Sequence, residues 1–430
     1  MLNSSEISLD GYEVSRQNGF LPDAPPLQSL EDPYYAPWET IARNLTDHVQ
    51  NNTLREAVDR LPILSTQKLQ TGPEWRRAYS VLAYFTHAYV WGGETPRDIL
   101  PPAISVPFLE VSSHLELPPC ATYAALNLWN FVPTSLAADL TSPDNLAVSL
   151  SFTGTKDEEW FFMVSVAMEA KGAQLIQLML DTIQGVKDDD QPQVATYLMQ
   201  LSEGINELGR ILERMYEKNA PPVFFHHLRP YLAGSKNMAK AGLPSGLFYD
   251  LGEGKGEWRQ YSGGSNAQSS LIQALDIFLG VQHSATGNPN GEKSQSPGKT
   301  AYIQEMRNYM PGPHRRFLEM LTRISNVREF AMSYKLGSDV RDAYNTAVMS
   351  MGVFRDKHIQ IVTRYIINAA KLPPPQNATS SLNLATLTCT HLKDKDGHVS
   401  SGVNGTGGTD LIPFLKQTRD ATKAAANYAD

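Results

Sequence analysis

The chain has 430 residues, enough for a large core and for two domains. Its net charge of -8 argues against a nucleic-acid or anionic-membrane partner, and no apolar run reaches the length of a membrane-spanning helix. The N-terminus lacks the basic and apolar parts of a signal peptide, and only two cysteines occur, Cys120 and Cys389, far apart; a reducing, cytoplasmic address is expected, so the sequon Asn44-Leu45-Thr46 carries no meaning.

The helical period dominates, and runs of β-branched residues alternating with polar ones are scarce, so the chain reads as mainly α. The first helices are expected over 36–61, 73–92 and 119–130. A domain boundary is expected near 139–158, where Asp139-Leu140-Thr141-Ser142-Pro143-Asp144 and Thr153-Gly154-Thr155-Lys156-Asp157 interrupt the pattern.

The next helix, 158–186, opens with Glu159-Trp160-Phe161-Phe162-Met163-Val164-Ser165. Phe161 and Ser165 are four apart and share a face. A lone serine among Phe, Met and Val either bonds a ligand or bonds back to its own helix. Helix 191–217 starts at Gln191-Pro192, since proline suits a first turn. In Val223-Phe224-Phe225-His226-His227-Leu228-Arg229, Phe225 and Arg229 share a face, with Phe224 on a neighbouring one. Aromatic rings beside a guanidinium suit a ligand with a ring and a carboxylate; a surface ion pair is the plainer reading. His226 and His227 would point about 100° apart on a helix, a poor chelating pair. No His-Glu-x-x-His zinc motif is present.

Ser262-Gly263-Gly264-Ser265-Asn266-Ala267 nearly spells a nucleophile elbow, but Ala267 fills the last glycine position. It reads better as a turn capping a helix over 267–280, with glycines that let backbone approach a flat ligand. Residues 284–299 look like a solvated insertion, and helices follow over 300–309 and 313–322. The last long helix, 339–370, ends at Leu372-Pro373-Pro374-Pro375. Met351, Phe354, His358, Ile361, Val362 and Tyr365 fall on one face of it, which is apolar except for the histidine. A buried imidazole needs partners at its ring nitrogens: a metal, most simply a haem iron, or a backbone carbonyl. Residues 373–408 form a long Pro/Ser/Thr/Gly-rich loop. At its end Gly405-Thr406-Gly407-Gly408-Thr409-Asp410 fails both nucleotide-binding fingerprints, leaving a hinge or a mobile lid.

Taken in order, the motifs Glu159 to Ser165, Phe224 to Leu232, Gly263 to Gly280, Met306-Arg307-Asn308-Tyr309-Met310-Pro311, His358 to Ile366 and Gly405 to Asp410 resemble the indoleamine 2,3-dioxygenase family, in its fungal type. The similarity runs from about residue 30 and weakens at 284–299 and 373–403. The resemblance implies a two-domain all-helical haem dioxygenase fold. A small N-terminal domain (1–150) would lie over a large C-terminal one (151–430) that carries haem b and the mobile loop 373–408. His358 would be the axial iron ligand, Arg355 would sit near a haem propionate, and Asp276 would be a carboxylate of that network. Tyr123, Phe161, Ser165, Phe224, Arg229, Ser265 and Thr406 match substrate-pocket positions, and Gly264 and Ser265 match the turn against the haem. Asn266 departs from the small apolar residue expected there, which bears on pocket polarity.

The activity implied is cleavage of the indole C2–C3 bond of L-tryptophan by O₂ to N-formyl-L-kynurenine, the first step of kynurenine and NAD biosynthesis. It would run on ferrous haem, in a monomer, with an unidentified electron donor and no side-chain general acid or base. A haem sensor or carrier of the same fold is the competing reading, but a carrier needs no amino-acid clamp.

Overall fold

The computed structural model describes residues 8–283, 302–373, 389–393, 399–403 and 411–426. It is mainly helical, as the periodicity predicts. The expected helix over 36–61 is three short ones instead, Ala36–Arg43, Leu45–Gln50 and Leu54–Asp59. The breaks fall at asparagines: Asn44 is non-helical, and Asn52 takes a left-handed conformation (φ 55°), which its short polar side chain tolerates.

Helix α1 (Gly72–Trp91) opens with a capping box, Thr71 and Glu74 each accepting the other's backbone N–H, with Pro73 in the first turn. All but its first turn is buried. Arg77 forms a two-pronged ion pair with Glu39 (3.0 and 2.7 Å), both deeply buried, and donates to Ser149 Oγ at 2.9 Å. The helix Pro102–His114 is absent from the sequence reading, because Pro101, Pro102 and Pro107 signal a break. The first two lie at its N-cap and first turn, where no N–H is needed.

Helix α2 (Lys156–Lys187) is capped by Thr155. Glu158 fixes its entry by accepting from the N–H groups of Phe152 (2.8 Å) and Thr153 (2.7 Å) and from the hydroxyls of Ser151 (2.7 Å) and Thr153 (2.6 Å). Helix α3 (Gln191–Glu213) starts at Gln191-Pro192 as expected and is capped by Asp190. It lies between α2 and the long helix α5 described next. Helix α4 (Ser270–Phe278) follows a single 3-10 turn at Asn266–Gln268, so it begins three residues after the expected start. Helix α5 (Asp339–Val362) continues into a π-helical turn, Thr363–Asn368. It packs on α3, where Ser202 and Ser350 hydroxyls meet at 2.9 Å, and against the C-terminal helix α6 (Leu411–Ala425).

Strands are few and short. Ile99–Leu100 pairs in parallel with Leu247–Gly252, which pairs antiparallel with Lys255–Arg259. Phe131–Pro133 and Leu146–Val148 form a hairpin at the expected interruption, and Cys389–Lys393 pairs with Val399–Val403. One apolar cluster runs from Leu9 to Ala426, so residues on both sides of position 150 share it.

His87, on α1, ties three segments together. Its Nδ1 donates to the carbonyl of Tyr231 at 2.7 Å, and its Nε2 accepts the N–H of Ala121 at 2.9 Å. Both bonds require the neutral ring, and burial pushes its pKa down to about 4. Between pH 6.5 and 4 the unfolded chain binds a proton that the folded chain refuses. Stability is therefore present above 6.5 and is lost as pH falls through this window. At pH 5 the loss from His87 is about 2 kcal/mol, and buried His314, pushed to about 3, acts in the same direction. Urea midpoints at pH 7 and pH 5 measure this, and the difference should shrink in His87→Gln. An equal difference in the variant would remove His87 from the acid response.

Candidate active site

Tyr123, Phe161, Ser165, Phe224, Arg229, Gly264, Ser265, Asp276, Arg355 and His358 all line one cavity. They come from segments spread over more than half of the chain. Thr406 and most of the loop 373–408 lie outside the described residues.

Helix α5 contributes Phe354, His358, Ile361, Val362 and then Tyr365, the face predicted from their spacing. Phe354, Ile361, Val362 and Tyr365 are buried. Among the described residues the imidazole of His358 makes no hydrogen bond, to a backbone carbonyl or to any other group. Its ring is partly exposed, to the cavity rather than to bulk water: burial, with the Arg355 charge adding to it, pushes its pKa down to about 4. At neutral pH it presents a lone pair.

Three residues before it, Arg355 donates from Nη2 to both oxygens of Asp276 at 2.6 Å. Asp276 also pairs with His283 Nε2 at 2.9 Å. Burial pushes the Asp276 carboxyl up, but Arg355 and His283 outweigh it and hold the group below its usual range. Arg355 Nε is buried with no partner, a donor left over for an anionic group.

Across the cavity, Phe161 and Phe224 meet at 4.8 Å between ring centres, and Phe224 meets Tyr365 edge-on at 5.9 Å. Arg229, only 2% exposed, lies with its guanidinium 5.4 Å from the centre of the Phe225 ring, as their spacing of four predicts. His226 and His227 are not part of the lining. Gly263 lies where the segment 261–263 passes 232–234 so closely that a Cβ would run into the carbonyl of Leu232. That crossing holds the end of the Arg229 segment against the Gly264-Ser265 turn. Ser265 caps the turn by accepting the N–H of Ala267 at 3.2 Å.

The cavity wall departs from α geometry in three places. Ala124–Leu128, Phe224–Leu228 and Thr363–Asn368 are π-helical turns, and each contributes lining residues. Such turns carry one extra residue and concentrate at functional sites.

Sequence reading missed Glu169, Ser269 and His283. Glu169 is 2% exposed and lines the cavity. It accepts from the Tyr123 phenol at 2.9 Å and from Ser269 Oγ at 2.6 Å. Burial raises its pKa to about 7 against the pull of those two bonds. Ser165 stands beside the same phenol. The signal was available: 161, 165 and 169 continue one face.

These residues fit a flat, anionic metal macrocycle. No cluster of three or more His, Cys, Asp or Glu among the described residues can cage a bare metal ion. A single neutral imidazole suits a metal that brings its own equatorial ligands, and apolar side chains such as Phe354, Leu271 and Phe414 line the same cavity. Arg355 Nε supplies a donor for a carboxylate on the rim.

Comparison with known proteins agrees with this geometry. A family model described as indoleamine 2,3-dioxygenase matches residues 8–425. The chain is 42% identical to indoleamine 2,3-dioxygenase qulI of Penicillium citrinum over 431 residues, covering 99% of this chain and 90% of that protein. It is 39% identical to indoleamine 2,3-dioxygenase of Saccharomyces cerevisiae, over 97% of this chain and 94% of that one. It is 34% identical to 6-hydroxytryptophan 2,3-dioxygenase fscD of Fusarium equiseti, with 96% of each covered. No described helix is long and apolar enough to cross a membrane.

Proposed function

Because the chain belongs to the indoleamine 2,3-dioxygenase family, and is therefore an oxidoreductase that cleaves indoles with dioxygen, we propose that its cavity binds haem b and L-tryptophan and yields N-formyl-L-kynurenine. The observation that carries this is the neutral imidazole of His358, without a hydrogen bond among the described residues, in the cavity that also holds Arg229 and the Phe161–Phe224 pair.

His358 would hold the iron through its free lone pair. Asp276 fixes the Arg355 guanidinium, whose remaining N–H would meet a propionate, and the Gly264-Ser265 turn would lie against the macrocycle. Bound haem, in its ferrous state, supplies the O₂ chemistry that opens the indole C2–C3 bond. The rest is binding and orientation. The indole would stack on the wall made by Phe161 and Phe224, and Arg229 would grip the carboxylate through its planar fork. Tyr123, Ser165 and Ser265 wall the pocket, and Thr406 would close over it. The apolar lining excludes water. Among the described residues no lysine or histidine besides His358 lines the cavity, Oε1 of Glu169 is taken by Tyr123 and Ser269 and its Oε2 is buried, so no side chain is assigned as general base.

On the same reading the protein works as a cytoplasmic monomer of two domains, 1–150 and 151–430, fed by a separate electron donor. The test is an absorption spectrum of the purified, haem-supplemented protein under reducing conditions, followed in air after adding L-tryptophan. A Soret band with growing N-formylkynurenine absorbance is expected. A Soret band without product would point to a different indole substrate or to the sensor or carrier, and no Soret band would overturn the role given to His358.

A further inference from the structure

Helix α4 ends in a turn that carries the chain back over its own last residues. Gly280 takes the left-handed conformation (φ 64°), and its N–H bonds the carbonyl of Ile277 at 3.1 Å. The next N–H, of Val281, bonds the carbonyl of Asp276 at 2.9 Å. These two bonds make a Schellman motif, whose left-handed position suits glycine. A Cβ there would also run into the Arg328 side chain. Three residues after the glycine, the reversal brings His283 back to the Asp276 side chain. Its Nε2 faces Oδ2 at 2.9 Å, and since Asp276 is held in its ionised form, the ring nitrogen donates.

Among the described residues the Asp276 carboxylate has two partners, His283 and Arg355. Arg307 is directed to Gln273 Oε1 instead, at 2.8 Å. The three side chains are 5% (Asp276), 11% (His283) and 12% (Arg355) exposed, so water competes little for these bonds.

The geometry of the pair is uneven. Arg355 offers one nitrogen, Nη2, to both carboxylate oxygens at 2.6 Å. A guanidinium and a carboxylate that meet with two nitrogens on two oxygens lock into a common plane. A bond through one nitrogen lets the guanidinium pivot about it. Its direction then follows the carboxylate, and His283 holds the carboxylate from the other side. Arg355 lines the cavity. Its Nη1 makes no hydrogen bond among the described residues and, unlike Nε, is not among the donors closed off from the surface.

We propose that His283 is a positioning residue for the cofactor: through Asp276 it sets the direction of the Arg355 guanidinium, and so keeps a haem propionate in the grip of Nη1. This rests on the reading of the cavity as a haem site.

The experiment loads wild type, His283→Ala, His283→Gln, Asp276→Ala and the double variant Asp276→Ala/His283→Ala with haemin. Haem loss to excess apomyoglobin is timed from the Soret band. His283→Ala should lose haem about tenfold faster than wild type, the low end of what outer partners of a metal site contribute. His283→Gln should stay close to wild type, because its amide N–H can replace the Nε2 donor. The double variant should lose haem no faster than Asp276→Ala, since His283 acts only through that carboxylate. A general loosening of the fold would speed haem loss alike with and without Asp276; that additivity overturns the proposal. So does a His283→Ala protein that keeps haem as long as wild type, or a His283→Gln protein as leaky as His283→Ala. A wild type that takes up no haem sinks the reading of the cavity and this role with it. A wild type that holds haem beside an unchanged His283→Ala removes His283 alone.

Discussion

An H358A protein supplied with haemin is expected to emerge from purification without a Soret band. The side chain faces the cavity and makes no hydrogen bond among the described residues, so its removal breaks no contact of that kind in the fold. Far-ultraviolet circular dichroism should stay at the wild-type value. What is lost is the axial bond. Outer groups that merely orient a ligand change metal affinity by about 10–100-fold, and loss of the ligand itself should exceed that. The pKa of about 4 matters here, because the imidazole offers its lone pair at neutral pH without first releasing a proton. Added imidazole should restore part of the band by filling the vacated space. A variant that keeps a full Soret band would sink the ligand assignment and return His358 to the status of a buried core residue.

Arg229→Ala should leave haem bound and raise the KM for L-tryptophan by about 30- to 1,000-fold. That range corresponds to about 2–4 kcal/mol for truncating one partner of a buried, hydrogen-bonded charge pair. Arg229 is 2% exposed and lies beside the Phe225 ring, so water cannot replace it as a carboxylate partner. Arg229→Lys should recover only part of the loss, since an ammonium lacks the two-pronged fork. The decarboxylated analogue tryptamine should bind wild type and R229A with similar affinity. An unchanged tryptophan KM in R229A would remove the residue from the carboxylate site.

Much of this site could be read from spacing alone. The face from Phe354 to Val362 and the pair Phe161 and Ser165 sit as helical periodicity places them. Periodicity reports which residues share a face, and these faces are long enough to register. Glu169 did not stand out, because a carboxylate beside Ala170 and Lys171 looks like part of a solvated face. Its burial depends on Tyr123 and Ser269, which are remote in sequence. His283 was hidden because it lies beyond the end of α4, across a turn from its partner Asp276 in that helix. The helix Pro102–His114 was lost to its prolines, and the run 36–61 was over-extended because isolated asparagines interrupt apolar periodicity only weakly. The π-helical turns leave no local mark, since the extra residue is accommodated by the surrounding packing rather than by side-chain type.

Those turns have a consequence for how the site is encoded. In a regular helix each residue advances by about 100°. The additional residue in Phe224–Leu228 therefore rephases everything after it, and Arg229 faces the cavity because of that offset. The same holds for Tyr365 and Ile366 in Thr363–Asn368. Substitution cannot reproduce or undo such an offset; only a change in chain length can. Removing a single residue from Phe224–Leu228 would regularise the helix and turn the guanidinium about 100° away, with every pocket side chain still present. The aim of the carboxylate clamp is thus written in a residue count, a form of information invisible to any inventory of which amino acids line the wall.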